Sequence, residues 1–290
     1  MMLQTYIHSF LVLLGRLLLV LSALFAHDLR ADQTEPPSLF AHDLWAGQKN
    51  WYRPILFTTW QIQLQGMPNT TYSATLYTLD LFDTPKEVID TLHAEGKKVI
   101  CYFSAGSFED WRPDHNKFKP AVLGEPLAGW PGERWLDIRS DNVRSIMRSR
   151  LDLAKKKGCD AVDPDNVDAY TQDTGFDLND RDQLVYNRFL ARSAHARGLS
   201  VGLKNDLLQI KNLVNDFDFA INERCHEYLE CNLLTPFINA GKPVFNLEYQ
   251  NKYAENEMDR FKLCEDSIKR GFTTLVAPPL LDGSFRYACH

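Results

Sequence analysis

Eight short apolar segments, each ending in polar or aromatic residues, constrain this chain more than anything else in it: 60–64, 75–81, 98–104, 160–163, 199–204, 217–222, 243–248 and 273–277. Such runs fit strands of a parallel sheet buried on both faces. Amphipathic stretches fall between them. Val88, Ile89 and Leu92 line one face of a helix predicted over 85–95. Ser140 is an N-cap for a helix carrying Val143, Ile146, Met147 and Leu151, and Asn179 or Asp180 opens another through Leu190. A fourth is expected over 252–270, and glycines stop these helices close to the next strand. Strands alternating with helices through right-handed crossovers predict a single (β/α)8 TIM barrel. A doubly wound open sheet is the alternative. The stretch from Ser104 to Arg139 is too long for an ordinary connection. It predicts a structured excursion over the barrel mouth after strand 3, holding Trp111, Trp130 and Trp135 and a short extra strand at 134–138.

The N-terminal segment stands outside this pattern. Residues 10–26 are almost entirely apolar and are followed by small residues, which reads as a secretory signal over 1–31, with an uncleaved membrane anchor as the alternative. Residues 32–290 form the catalytic domain, about the size of one barrel. Six cysteines fit an exported protein with disulfides. Cys225–Cys231 and Cys264–Cys289 are the expected pairs, while Cys101 and Cys159 either pair across neighbouring strands or stay buried and free. A zinc site from Cys225, His226 and Cys231 is the competing use of those residues, at a spacing that matches no common pattern. A net charge of −6 argues against a nucleic-acid partner. A secreted monomer is expected, with membrane contact only if the leader is retained.

In such a barrel the reacting groups sit at the C-terminal strand ends. Here those ends carry Asp80, Tyr102, the run Asp163-Pro164-Asp165-Asn166, Lys204-Asn205, Glu223, and Glu248-Tyr249. Asp163 and Asp165 are two apart and share a strand face. Pro164 cannot donate to a ladder, so pairing should stop there, leaving Asp165 at the mouth and Asp163 a layer deeper. A turn in which the aspartates cap the backbone is the plainer reading; a calcium loop fails because Val167 and Asp168 stand where an oxygen ligand and a glycine are needed. Strands four and six lie two apart, so carboxylates at their ends can face one another across a sugar, as glycoside cleavage requires. Trp60, Tyr102, Trp111, Trp135 and Tyr249 are candidate platforms for sugar faces, against core packing for any one of them. Lys204 either lowers the pKa of a neighbouring aspartate or neutralises a buried one. No metal or cofactor motif is present.

The runs 99–106 (VICYFSAG), 129–139 (GWPGERWLDIR), 158–168 (GCDAVDPDNVD), 202–206 (GLKND) and 222–225 (NERC) resemble glycoside hydrolase family 114, the endo-α-1,4-polygalactosaminidases. The resemblance covers about residues 50–280 and implies a TIM barrel and no cofactor. It implies internal cleavage of a galactosamine-containing polysaccharide with retention, Asp165 as nucleophile and Glu223 as acid/base. Trp60, Asp80, Tyr102, Asp163, Asn166, Lys204, Asn205, Glu248 and Tyr249 are the substrate-binding candidates. The family usually has glutamine where Arg224 stands here, a departure beside the site. A cationic, partly deacetylated chain would suit the acids Asp80, Asp163, Asp168 and Glu248. A silent carbohydrate-binding barrel, a barrel of other sugar specificity and a metal-dependent hydrolase are the competing functions.

Overall fold

The computed structural model describes residues 51–289; the predicted leader at 1–31 lies outside them. The elements in order are β1 (Trp60–Gln63), β2 (Leu76–Asp80), α1 (Lys86–Ala94), β3 (Lys98–Ser104), β4 (Ser107–Glu109), β5 (Leu123–Pro126), β6 (Glu133–Leu136) and α2 (Asp141–Lys157). Then follow β7 (Ala161–Asp165), α3 (Asp180–His195), β8 (Ser200–Lys204), α4 (Ile210–Leu213), β9 (Phe219–Glu223), α5 (Thr235–Asn239) and β10 (Val244–Glu248). The chain closes with α6 (Asn251–Glu255), α7 (Glu257–Arg270), β11 (Thr273–Val276) and β12 (Tyr287–Ala288).

All eight predicted strands form. They run parallel in the order β1-β2-β3-β7-β8-β9-β10-β11, with β12 antiparallel at the far edge. The sheet curls until its edges meet, as the barrel prediction requires. Among the described residues no ladder joins β1 to β11. Side chains and the segment after β11 make the seam instead. Trp60 Nε1 donates to the Thr273 carbonyl at 3.1 Å, Leu64 N to the Leu281 carbonyl at 2.9 Å, and Arg286 to both Gln61 Oε1 and the Trp60 carbonyl.

Strand alternation divides the apolar residues between two cores. Trp60, Leu76, Ile100, Ala161, Phe219, Phe245 and Leu275 fill the barrel interior. Their neighbours of opposite parity, among them Val99, Cys101, Phe103, Val162 and Val201, pack outward against Ile89, Leu92, Met147, Leu151 and Leu190 of the helices. Each such side chain contributes roughly 1.5–3 kcal/mol on burial. Gly202 is the smallest inward residue: a Cβ there would stand 2.4 Å from the Phe219 ring, so the bare backbone is what lets that ring fill the interior.

Three local outcomes refine the sequence expectations. β7 runs to Asp165, past Pro164, because β3 stays paired with it through Ser104↔Asp165. The Asp165 carbonyl accepts from Ala105 N at 2.8 Å, so the backbone groups of Pro164 point the other way, toward β8, where registered pairing does end at Val162. The single helix expected over 252–270 is two, because Asn256 turns out of the helix and caps α7 through Met258 N and Asp259 N. The excursion folds as a three-stranded antiparallel sheet in the order β4-β6-β5, with β6 as the extra strand expected around 134–138.

All six cysteines pair: Cys101–Cys159, Cys225–Cys231 and Cys264–Cys289. The second bond removes the zinc alternative. Cys225, His226 and Cys231 do cluster, but a disulfide offers no thiolate to a metal.

Candidate active site

One cleft of about 960 Å³ opens at the C-terminal strand ends. Three successive strands deliver its centre. Inward parity brings Asp165 from β7, Lys204 from β8 and Glu223 from β9 to the same level. Lys204 is almost wholly buried, and its Nζ lies 3.4 Å from Asp165 Oδ1 and 3.5 Å from Glu223 Oε1. Burial works against the ammonium, but Asp165, Glu223 and Asp163 together outweigh it and hold its pKa above the usual lysine value. Lys204 therefore neutralises several carboxylates at once.

Each of the two carboxylates is also gripped by a phenol. Tyr102 Oη donates to Asp165 Oδ2 at 3.0 Å, and Tyr249 Oη donates to Glu223 Oε1 at 2.5 Å. Burial pushes both hydroxyls well above the usual tyrosine range, with the partner carboxylate adding to the effect, so both remain donors. Asn166 N donates to Asp165 Oδ1 at 2.7 Å, and Asn205 Oδ1 accepts from Glu223 N at 2.9 Å. Asn166, Asn205 and Arg224, the residues immediately after β7, β8 and β9, all have positive φ (59°, 48° and 68°). Strain of this kind at three neighbouring strand ends is typical of functional sites.

The chain matches glycoside-hydrolase family GH114 over residues 41–290. It belongs to that family. Ega3 of Aspergillus fumigatus, solved in complex with galactosamine, is 42% identical, with a TM-score of 0.78 over 83% of this chain and 98% of that one. The glycoside hydrolase domain of PelA from Pseudomonas aeruginosa shares the fold at 14% identity, with a TM-score of 0.63 over 78% of this chain and 97% of that one. An uncharacterized protein of Deinococcus radiodurans is 26% identical over 227 residues, covering 67% of this chain and 73% of its own.

In this GH114 hydrolase the remaining sequence candidates divide. Asn166, Asn205, Tyr102, Tyr249 and Asp80 line the cleft with Asp165, Lys204 and Glu223. Asp80 is not a free acid, because Arg112 Nη1 and Nη2 take both its oxygens at 3.0 and 2.7 Å. Asp163 is fully buried beneath the cleft, and neither of its oxygens has a hydrogen-bond partner. Burial pushes its pKa up to about 7, against the pull of Lys204. That position suits tuning of the site, and Asp163 is not among the residues that line the cleft.

Two further candidates also stand outside the cleft. Trp60 has the inward parity but sits at the first residue of β1, at the barrel floor, wholly buried against Phe245. Glu248 has the outward parity. It lies behind the wall, where Oε1 accepts from His226 N at 2.9 Å and Asn246 Nδ2 at 3.1 Å. Neither lines the cleft.

The excursion supplies Trp111 and Trp135, read from the sequence as candidate platforms, and further residues that reading left without a role. Trp111 and Trp130 are exposed and Trp135 is buried, and all three line the cleft. So do Arg112, Glu109 and Glu133. Burial pushes Glu133 up to about 7, and Ser107 opposes the shift by donating to Oε2 at 2.6 Å. A signal for Glu133 was present: it stands two residues before Trp135 on one strand and shares its face.

Proposed function

We propose that this chain is a secreted, endo-acting hydrolase of α-1,4-linked, galactosamine-containing polysaccharide, working with retention through Asp165 and Glu223. The observation that carries the assignment is the placing of one buried ammonium, Lys204, against both carboxylates. Two oxygens that touch the same nitrogen stand no more than about 7 Å apart, which favours the roughly 5 Å spacing of a retaining pair over the wider inverting range.

In the first step an Asp165 oxygen bonds to the anomeric carbon as the glycosidic C–O bond breaks, and Glu223 gives its proton to the departing oxygen. In the second, Glu223 takes a proton from water, the water oxygen bonds to the anomeric carbon and Asp165 leaves. Lys204 and Tyr249 both address Glu223 Oε1, which leaves Oε2 to carry the travelling proton. Tyr102 and Asn166 N hold Asp165 in one orientation.

The substrate class is supported by the galactosamine bound to Ega3 and by the charge of the cleft. Asp80, Asp83, Glu109, Glu133, Asp165, Asp168, Glu223 and Glu227 face only Arg112, Lys204 and Arg224, an excess of carboxylates that favours a cationic glycan. The exposed Trp111 and Trp130 offer flat apolar surfaces to sugar rings. Three disulfides fit an oxidising compartment.

The test is incubation with α-1,4-galactosamine polymer, mass analysis of the products and NMR of the first-formed anomer. Internal fragments with α configuration are expected, and Asp165→Asn and Glu223→Gln should each reduce the rate more than about 10³-fold while leaving the fold intact. First-formed β anomers would overturn retention, and binding without new reducing ends would overturn hydrolysis of this polymer.

A further inference from the structure

We propose that Glu133, on the excursion strand β6, is a positioning residue for Asp165, acting through Ser107, Ser104 and Asn166. The inference rests on the reading of Asp165 as nucleophile. Asn166 is the residue whose backbone N–H holds Asp165 Oδ1, and it does so in a left-handed conformation. Something must hold it there. Its side-chain Nδ2 donates to Ser104 Oγ at 2.9 Å and to Ser107 Oγ at 3.2 Å. The two serine oxygens are 2.6 Å apart, and Ser107 Oγ donates to Glu133 Oε2 at 2.6 Å. Both serines are buried.

With Glu133 Oε2 unprotonated and accepting, proton counting gives this chain one direction. Ser107 spends its only hydroxyl proton on Glu133, so its oxygen accepts from Ser104. Both serine oxygens are then acceptors, which is what Asn166 Nδ2 requires. Without an acceptor at Glu133, the Ser107 proton can turn back toward Ser104 and reverse the serine pair. That leaves the Ser104 proton competing with Nδ2 for the same space.

The backbone clasps the same strand end from the other side. Ala105 N and Gly106 N both donate to the Asp165 carbonyl, at 2.8 and 3.1 Å. Gly106 packs so closely that a Cβ would fall 1.6 Å from the Asn166 carbonyl oxygen. Charged groups also face Glu133 from its surroundings: Glu109 opposite it on β4, Arg112 after β4, and Asp165 on β7. The excursion is thereby wired to the nucleophile, and its role goes beyond roofing the cleft.

The test is steady-state kinetics on α-1,4-galactosamine polymer with the full-length enzyme. The variants are Glu133→Ala, Glu133→Gln and Ser107→Ala, with Asp165→Asn alongside. We expect Glu133→Ala and Ser107→Ala to lower kcat at least about tenfold with KM within about twofold. Glu133→Gln should recover most of that loss, because its amide oxygen still accepts from Ser107. Unchanged kcat in both breaking variants overturns the proposal. So does a loss expressed in KM, which would place Glu133 on the sugar, and so does a Gln variant as impaired as the Ala variant. An active Asp165→Asn enzyme would instead overturn the nucleophile assignment; an inactive one beside normal Glu133 and Ser107 variants removes the positioning role alone.

Discussion

Tyr249 Oη lies 2.5 Å from Glu223 Oε1, a phenol committed to one oxygen of the carboxyl that is read as the acid/base. The contact orders the two oxygens, since only Oε2 is left to exchange a proton with substrate or water. Tyr249→Phe keeps the ring and removes the hydroxyl. The expected result is a fall in kcat of about 10–100-fold with little change in KM, in line with the loss of one charge-assisted hydrogen bond. Initial rates of reducing-end release check it, and a wild-type kcat would show the phenol to be only a packing group.

Lys204→Met keeps most of the aliphatic stem and deletes the ammonium. Asp165, Glu223 and Asp163 would then face one another without their shared cation. Activity should drop at least about 10²-fold, the scale for removing a preorganised charge from a reacting site. Thermal stability should fall with it at neutral pH, because breaking a buried ion pair leaves uncompensated charge. Activity within a few-fold of wild type would mean that Lys204 only neutralises Asp163.

Stability should depend on pH in a direction set by buried carboxyls. Burial pushes Asp206 up to about 8, Asp163 and Glu133 to about 7 and Asp168 to about 6. Each binds its proton more tightly folded than unfolded, so its contribution is complete below about pH 4 and is lost as pH rises through 6–8. Asp218 has the opposite sign. Burial would raise it, but His195, Trp51 and Val201 N outweigh that and hold it low, so its contribution is lost as pH falls. Melting temperature should therefore peak near pH 4 and decline toward pH 8. Asp206→Asn should flatten the decline, raising the melting temperature by about 2–4 °C at pH 8 and leaving pH 4 unchanged. Asparagine suits the left-handed backbone at that position. An equal shift at both pH values would show that the effect is not titration.

The disulfides should differ in what they stabilise. Cys101–Cys159 closes a separation of 58 residues and Cys225–Cys231 one of 6. Loop-closure entropy then predicts about 4 kcal/mol lost on replacing the first pair and about 2 on replacing the second. The ranking should reverse for activity, since Cys225 stands two residues after Glu223 and its bond secures the loop leaving β9. Chemical denaturation and initial rates on the paired Cys→Ala variants measure the two effects.

The fold was legible because strand length and the polar strand ends are local signals. That Asp165 and Glu223 reach one cleft was legible because parity along a strand decides which side chains face inward. The failures are equally physical. Trp60 had the right parity in the wrong layer, and Glu248 is one residue out of phase with Leu247, which does point inward. The neutralisation of Asp80 by Arg112 and the link from Glu133 to Asn166 depend on how a long excursion folds back over strands distant in sequence. Periodicity carries no information about that. Asn256 was lost inside a helical pattern because an amide in such a run reads equally as a surface residue or as a new N-cap.

The indole of Trp60, bonded to Thr273 across the seam, stoppers the barrel from below. Among the described residues no passage therefore leads through the barrel floor, and a glycan can enter the cleft only from the mouth. On the endo-acting reading, such an entrance would be indifferent to where a chain begins or ends. Strands of a cross-linked matrix, anchored at both termini, would then be as reachable as loose ones, and the two halves of a severed strand could leave in opposite directions without either being pulled through the enzyme.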